Sequence, residues 1–306
     1  MAQGHNINSE KAFIAGRWTD DIRDALLQYQ PSRMELSGDW SDLSMFAGAV
    51  DSIQGLKISG SLERGEIKAL GGIEVFSSLR RLSLVSKVKS GLHPLPLPLL
   101  ESLDAKWQKG LMDTIDQLPR LRTLVIGGYA GESLSALPNK STIEYLWLSN
   151  PAIASMNGIA AFSALNELRV TDAKKLTSLS GIEATRIKKL DIEGARQLID
   201  LLPIGSAQTL EWIRLLFISE QANTAQLYEL QNLRSLHIGG KGVPLIDWFA
   251  AMLMPRIEAV FGWWDPSLIS EEAIRSAVRP GRCITKFEHL SQAKVRPLDI
   301  ALADVG

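Results

Sequence analysis

Cysteine is almost missing: Cys283 stands alone among 306 residues, so no intramolecular disulfide framework exists and a reducing compartment is expected. An excess of one charge is missing too. Thirty-three basic residues meet thirty-four acidic ones, leaving a formal net charge of −1. That balance supplies no global field for nucleic acid or an anionic membrane, and neither is expected as a partner. The longest apolar runs, Leu92–Leu100 and Pro244–Pro255, are broken or bounded by proline. Both fall far short of the roughly 18 residues that signal a membrane span. The opening Met-Ala-Gln-Gly-His-Asn-Ile-Asn lacks the basic and apolar regions of a secretion signal, so a cytoplasmic location is expected.

Chemistry-bearing clusters are equally scarce. The four histidines, His5, His93, His237 and His289, show no metal-ligand spacing, and neither metal nor other cofactor is expected. Cys283 has no histidine or acid at a recognised spacing and reads as inert. Gly239-Gly240-Lys241-Gly242 lacks the spacing of a phosphate loop and reads as a turn. Lys188-Lys189 and Arg80-Arg81 are dipeptides of solvated surface rather than nucleic-acid tracts.

What the chain has is self-similarity. The pattern apolar–x–x–apolar–x–apolar recurs from Ile53/Leu56/Ile58 through Leu79/Leu82/Leu84, Leu100/Leu103/Ala105, Leu121/Leu124/Ile126, Ile143/Leu146/Leu148, Leu165/Leu168/Val170, Ile187/Leu190/Ile192 and Leu210/Ile213/Leu215 to Leu233/Leu236/Ile238. Weaker copies stand before it at Pro31/Met34/Leu36 and after it at Ile257/Val260/Gly262. Successive copies are separated by 22, 26, 21, 21, 22, 22, 22, 23, 23 and 24 residues. Leucines scattered by chance do not hold so narrow a step. Within each copy, period-two alternation turns two apolar side chains inward and the residue between them outward. One such strand cannot bury its apolar face alone, so stacked copies form a parallel sheet with a continuous core behind it. Return segments carry a second apolar set, among them Ile73/Phe76, Met156/Ile159/Phe162, Leu176/Leu179/Ile182, Leu198/Leu201/Ile204 and Leu227/Leu230. Their short spacing predicts 3₁₀ or irregular turns. Gly72, Gly158 and Gly181, each just before an isoleucine, mark a tight bend or a close approach.

Residues 31–262 thus resemble the leucine-rich-repeat family, in its short-unit, internalin-like class of about 22 residues. The resemblance implies an α/β solenoid: a right-handed coil of about ten units with a parallel concave sheet. It also implies an asparagine three residues after the last strand leucine. Ala173, Ala195 and Pro151 stand there instead, and Asn150 is one residue early, so the side-chain ladder is expected to be missing or replaced. A coil exposes its core at both ends and needs caps. Residues 1–30 are assigned to the first, with a helix over Trp18–Tyr29, Thr19 as N-cap, Asp20 and Asp21 in its first turn, and Ile22, Leu26 and Tyr29 along one face. Residues 263–306 are assigned to the second, with Asp265 or Ser270 starting a helix through Leu268, Ile269, Ala273, Ile274 and Val278. Ile284, Phe287 and Leu290 extend it. The proline-rich segment from His93 cannot be a central strand, since its prolines lack the donor N–H.

The outward residues carry the functional information, because packing does not dictate them. Between the last two apolar positions stand Lys57, Ser83, Asp104, Val125, Trp147, Arg169, Asp191, Arg214, His237 and Phe261. The neighbouring column reads Gly55, Arg81, Ser102, Thr123, Tyr145, Glu167, Lys189, Trp212, Ser235 and Ala259. The C-terminal half is richer in aromatics and arginine, the composition of binding hot spots. Tyr145, Trp147, Arg169, Lys189, Asp191, Trp212, Arg214, His237 and Phe261 are therefore the candidate partner-binding residues. A plainer alternative has Arg169 and Arg214 neutralising Asp191 within the sheet while Trp147 stacks on Arg169. The expected function is a non-enzymatic module, a monomer, holding a protein partner of unknown identity, as an immunity-type inhibitor or an adaptor. Two alternatives remain: a host-directed effector or enzyme, for which the 44 residues after 262 are short, and a self-associating scaffold.

Overall fold

A computed structural model describes residues 4–60, 66–138, 141–240, 247–264, 270 and 288–289. Contacts divide the chain into two compact units: Met1–Tyr129 with Leu137–Tyr145, and Ala130–Ala136 with Leu146–Gly306. In both, the repeated L-x-L positions form short strands in chain order. The first unit holds β1 (Gly4–Ile7), β2 (Lys11–Ala15), β3 (Arg33–Ser37), β4 (Gly55–Ser59), β5 (Arg81–Leu84), β6 (Ser102–Lys106) and β7 (Thr123–Gly127). The second holds β8 (Tyr145–Ser149), whose first residue counts with the first unit, then β9 (Glu167–Thr171), β10 (Lys189–Glu193), β11 (Trp212–Leu216), β12 (Ser235–Gly239) and β13 (Ala259–Phe261).

The leucines set the register. In the first unit Met34 faces Leu56, Leu56 faces Leu82, Leu82 faces Leu103 and Leu103 faces Leu124 across parallel neighbours. In the second, Leu168, Leu190, Ile213, Leu236 and Val260 line up in the same way. All of these are 2% exposed or less. Each side chain so buried stabilises the fold by about 1.5–3 kcal/mol. The returns behind the sheet bury the second apolar set as expected, and Ile73–Val75, Ile159–Ala161 and Ile182–Ala184 are 3₁₀ turns. Gly158 before one of them has φ +93, and a Cβ there would lie 2.3 Å from the Ser135 amide nitrogen, so both a left-handed backbone and a close approach require glycine. This is the architecture of a leucine-rich-repeat coil.

The asparagine ladder is replaced, by two devices. At the sheet's exit edge a left-handed residue follows each of β8, β9, β10 and β11. Asn150, Asp172, Gly194 and Phe217 take φ of 49, 56, 77 and 52, and each donates its amide to a carbonyl of the next turn: Thr171, Glu193, Leu216 and Gly239. On the return side, short polar side chains fold back on their own backbone. Ser133, Ser155 and Ser178 Oγ, with Asp200 and Asn223 Oδ1, each accept from the amide two residues on, at 3.0–3.4 Å.

Other expectations need correction. The N-terminal cap is more than a helix: β2 joins β3 in parallel, and β1 pairs with β2 antiparallel around a turn closed by Asn8, whose Oδ1 accepts from the amides of Glu10 and Lys11. Helix α1 (Asp20–Tyr29) buries Ile22 and Leu26, but Tyr29, its last residue, is exposed, and the backbone turns left-handed just after it at Gln30. Thr19 holds the N-cap position without a side-chain bond. Two returns are α-helical instead of 3₁₀: α2 (Leu111–Asp116), where Thr114 Oγ1 donates to Gly110 and His93 carbonyls, and α3 (Trp248–Leu253), capped by Asp247. The proline-rich segment forms no strand, yet buries Leu92, Leu95 and Leu97. Near the end, β14 (Trp263–Trp264) pairs in parallel with β15 (Glu288–His289). Asp265, the proposed C-terminal helix, Cys283, Ile284, Phe287 and Leu290 lie outside the described residues.

Candidate partner-binding face

The outward side chains of β8–β13 occupy the columns read from the sequence. Register places Asp191 opposite Arg169 on one side and Arg214 on the other, then His237 opposite Arg214 and Phe261 opposite His237. The parallel column runs Glu167, Lys189, Trp212, Ser235 and Ala259. A repeat of nearly constant length, 22 to 24 residues across these strands, sets this alignment, because each added turn returns the chain to the same height one strand along.

Asp191 is the centre. It is only 7% exposed and takes the Arg214 guanidinium in a two-point fork, Nε to Oδ1 and Nη2 to Oδ2, both at 2.9 Å. Arg214 Nη2 also donates to Glu193 Oε2 at 3.1 Å. The hydrogen bonds to Asp191, with its charge and that of Glu193, hold the guanidinium pKa above its ordinary value against the opposing effect of burial. Arg169 approaches Asp191 from the other side, Nε to Oδ2 at 3.5 Å, without a hydrogen bond at that nitrogen. Its guanidinium lies over Trp147, 4.4 Å from the ring centroid, and the Trp147 ring N–H donates to Thr171 Oγ1 at 3.2 Å. Lys189 pairs loosely with Glu167 at 3.7 Å. His237 and Phe261 rings stand 5.3 Å apart.

The plainer sequence alternative therefore describes the charges: Arg169 and Arg214 are committed to Asp191, and Trp147 stacks on Arg169. The aromatics remain at the surface. Trp147, Trp212, His237 and Phe261 are half-buried, as is Tyr145 on the same face of β8 as Trp147. Trp147, Arg169, Asp191 and Arg214 form one contact chain. Lys189 joins Glu167 instead, and Trp212 sits beside Lys189 in register.

Sequence reading passed over the corresponding face of the first unit. There Lys11, Arg33, Glu35, Gly55, Lys57 and Arg81 border a cavity of about 540 Å³. Glu35 accepts from Lys11 Nζ at 2.8 Å and Lys57 Nζ at 2.9 Å, and these bonds lower its carboxyl pKa. The signal lay in the flanks of the weak copy, since Arg33 and Glu35 bracket Met34. The earlier copy at Ala12/Ile14, 22 residues before Met34/Leu36, was hidden because Ser9 takes its first apolar position.

Neither a family model nor a curated protein sequence matches the chain. Among solved structures it is similar to an internalin, InlF, from Listeria monocytogenes, at 14% identity over 90% of this chain and 79% of that one, with a TM-score of 0.45. It is also similar to a leucine-rich-repeat protein of Leptospira interrogans, at 14% identity over 81% of this chain and 76% of that one, with a TM-score of 0.42.

Proposed function

We propose that this leucine-rich-repeat coil is a non-enzymatic module that holds a protein partner on the outer sheet face of β8–β13. The observation that carries the reading is the lateral pairing of every charged residue there, beside which Trp147, Trp212 and Phe261 stand half-buried at the surface. Trp147, Trp212, Tyr145 and Phe261 are the anchors, with His237 beside Phe261. Arg169, Lys189, Asp191 and Arg214 are the polar surround. Trp147 is held by a ring stack and a hydrogen bond, so its rotamer is fixed before the partner arrives and little side-chain entropy is lost on binding. Charges that neutralise one another across strands need no counter-charge from the partner, which favours an apolar or aromatic patch opposite them. A partner sequestered on such a face is inhibited by occlusion, the immunity-type role; an adaptor uses the same contacts without blocking activity.

The test begins with a partner captured from native lysate and purified. Calorimetry with Trp147→Ala and Trp212→Ala is expected to show binding weakened by at least about 1–2 kcal/mol each, with melting temperatures unchanged. Undiminished affinity in both variants would place the contact elsewhere on the molecule.

A further inference from the structure

A second site lies on the outer sheet face of the first unit, independent of the aromatics of the second. The cavity there is lined by four cations, Lys11, Arg33, Lys57 and Arg81, against two acids, Glu35 and Asp104. In a chain whose formal net charge is −1, this is a local positive excess. Its acids are already engaged: Glu35 by Lys11 and Lys57, Asp104 by the Ser83 hydroxyl at 2.9 Å. Arg33 and Arg81 are different. Both are exposed, and among the described residues neither guanidinium has an ion-pair or hydrogen-bond partner.

Gly55 stands between them. Register pairs it with Arg33 on one side and Arg81 on the other, so the two arginines flank a position with no side chain. Two strand spacings put their Cα atoms about 9.6 Å apart, within reach of one small anionic group for two long, flexible stems. The fold does not demand glycine here. Gly55 opens β4 without positive φ, and a Cβ would meet only Arg33 Cγ, at an ordinary 3.6 Å. A glycine paired on both sides within a sheet offers no side chain to pack, and such a glycine often marks a place where a ligand comes close to the backbone.

We infer that the notch over Gly55 receives a carboxylate side chain from an acidic segment of a protein partner, gripped between Arg33 and Arg81. A two-point guanidinium grip suits the planar carboxylate. The two acids within the same cavity oppose nucleic acid, whose every backbone unit carries a fixed charge, whereas an extended peptide turns alternate side chains away and brings one aspartate or glutamate between the arginines. The segment's backbone lies along the sheet face, over the column from Lys11 to Ser102.

The probe is a fluorescently labelled hexaglutamate peptide, read by polarisation at low salt on the full chain, with circular dichroism on every variant. The native protein is expected to bind it, and added salt to weaken it. Arg33→Ala with Arg81→Ala is expected to weaken binding at least tenfold. Gly55→Val keeps every charge but fills the notch, and is expected to do the same. Should Gly55→Val fail to fold, Arg81→Ala alone reads the notch from a surface position. Binding unchanged by Gly55→Val in a folded protein, or by Arg81→Ala, would overturn the site. So would inorganic phosphate or a hexadeoxynucleotide competing as well as unlabelled hexaglutamate, since either would mean a general anion surface. None of these outcomes bears on Trp147 or Trp212.

Discussion

The outer faces of the two units share a backbone and a repeat length but handle charge in opposite ways. Between β8 and β13 charges are paired sideways, strand to strand, until Asp191 is nearly buried beneath two arginines. Between β2 and β6 Glu35 is held by Lys11 and Lys57 and Asp104 by Ser83, while Arg33 and Arg81 flank a glycine and, among the described residues, neither guanidinium has a partner. The inner columns are apolar and buried in both. Repeat proteins thus separate two tasks: leucines facing inward fix where the strands go, and the outward residues vary freely because no core packing depends on them.

The largest effects should ignore the contrast. Leu82→Ala in the first unit and Leu190→Ala in the second each leave a cavity in an interior column and should destabilise by about 2–5 kcal/mol. Denaturant unfolding that gave a large loss for one and none for the other would break the symmetry of the inner faces. Next come the engaged acids. Asp191→Ala strands Arg214 and Arg169 half-buried and should cost about 1–3 kcal/mol, whereas Asp104→Ala, exposed and held by one hydroxyl, should stay within about 0.5 kcal/mol. Equal losses in thermal melts would erase the difference between the faces. A small effect that depends on pH belongs to Glu35. Its carboxyl pKa is lowered from the ordinary 4.5 by its two lysine hydrogen bonds, so the ion pairs contribute fully above that value and are lost as pH falls below it. Their contribution, with both lysines about half exposed, is under about 1 kcal/mol. Glu35→Gln should therefore be slightly less stable than the native chain at neutral pH and match it in acid, and a gap that persisted in acid would assign Glu35 another role.

Much of this was legible in the chain. Burial selects leucine and isoleucine, and a fixed step repeats them, so Leu56, Leu146, Leu190 and Leu236 announced both strands and register. Register in turn announced that Asp191 would meet Arg169 and Arg214, one turn away on either side. The edge ladder was not legible, because Asn150, Asp172, Gly194 and Phe217 share a backbone conformation and no side-chain chemistry. Phe217 least of all suggests φ +52, a conformation that strains a bulky residue. Nor was the N-terminal hairpin, whose strand β2 substitutes Ala12 and Ile14 for leucines. The notch escaped notice for a simpler reason: glycine among smaller residues reads as the lack of a site, and its meaning emerges only once Arg33 and Arg81 are known to lie on either side.

The peptide rungs at the sheet's exit edge bear on how such a chain changes size. Each joins one amide to one carbonyl of the following turn, so a turn can be spliced out or duplicated between Asn150 and Phe217 without any matching side chain being supplied. Growth and shrinkage by whole modules then cost no new chemistry at the seam, and the breadth of the outer sheet face becomes a quantity that recombination alone can adjust.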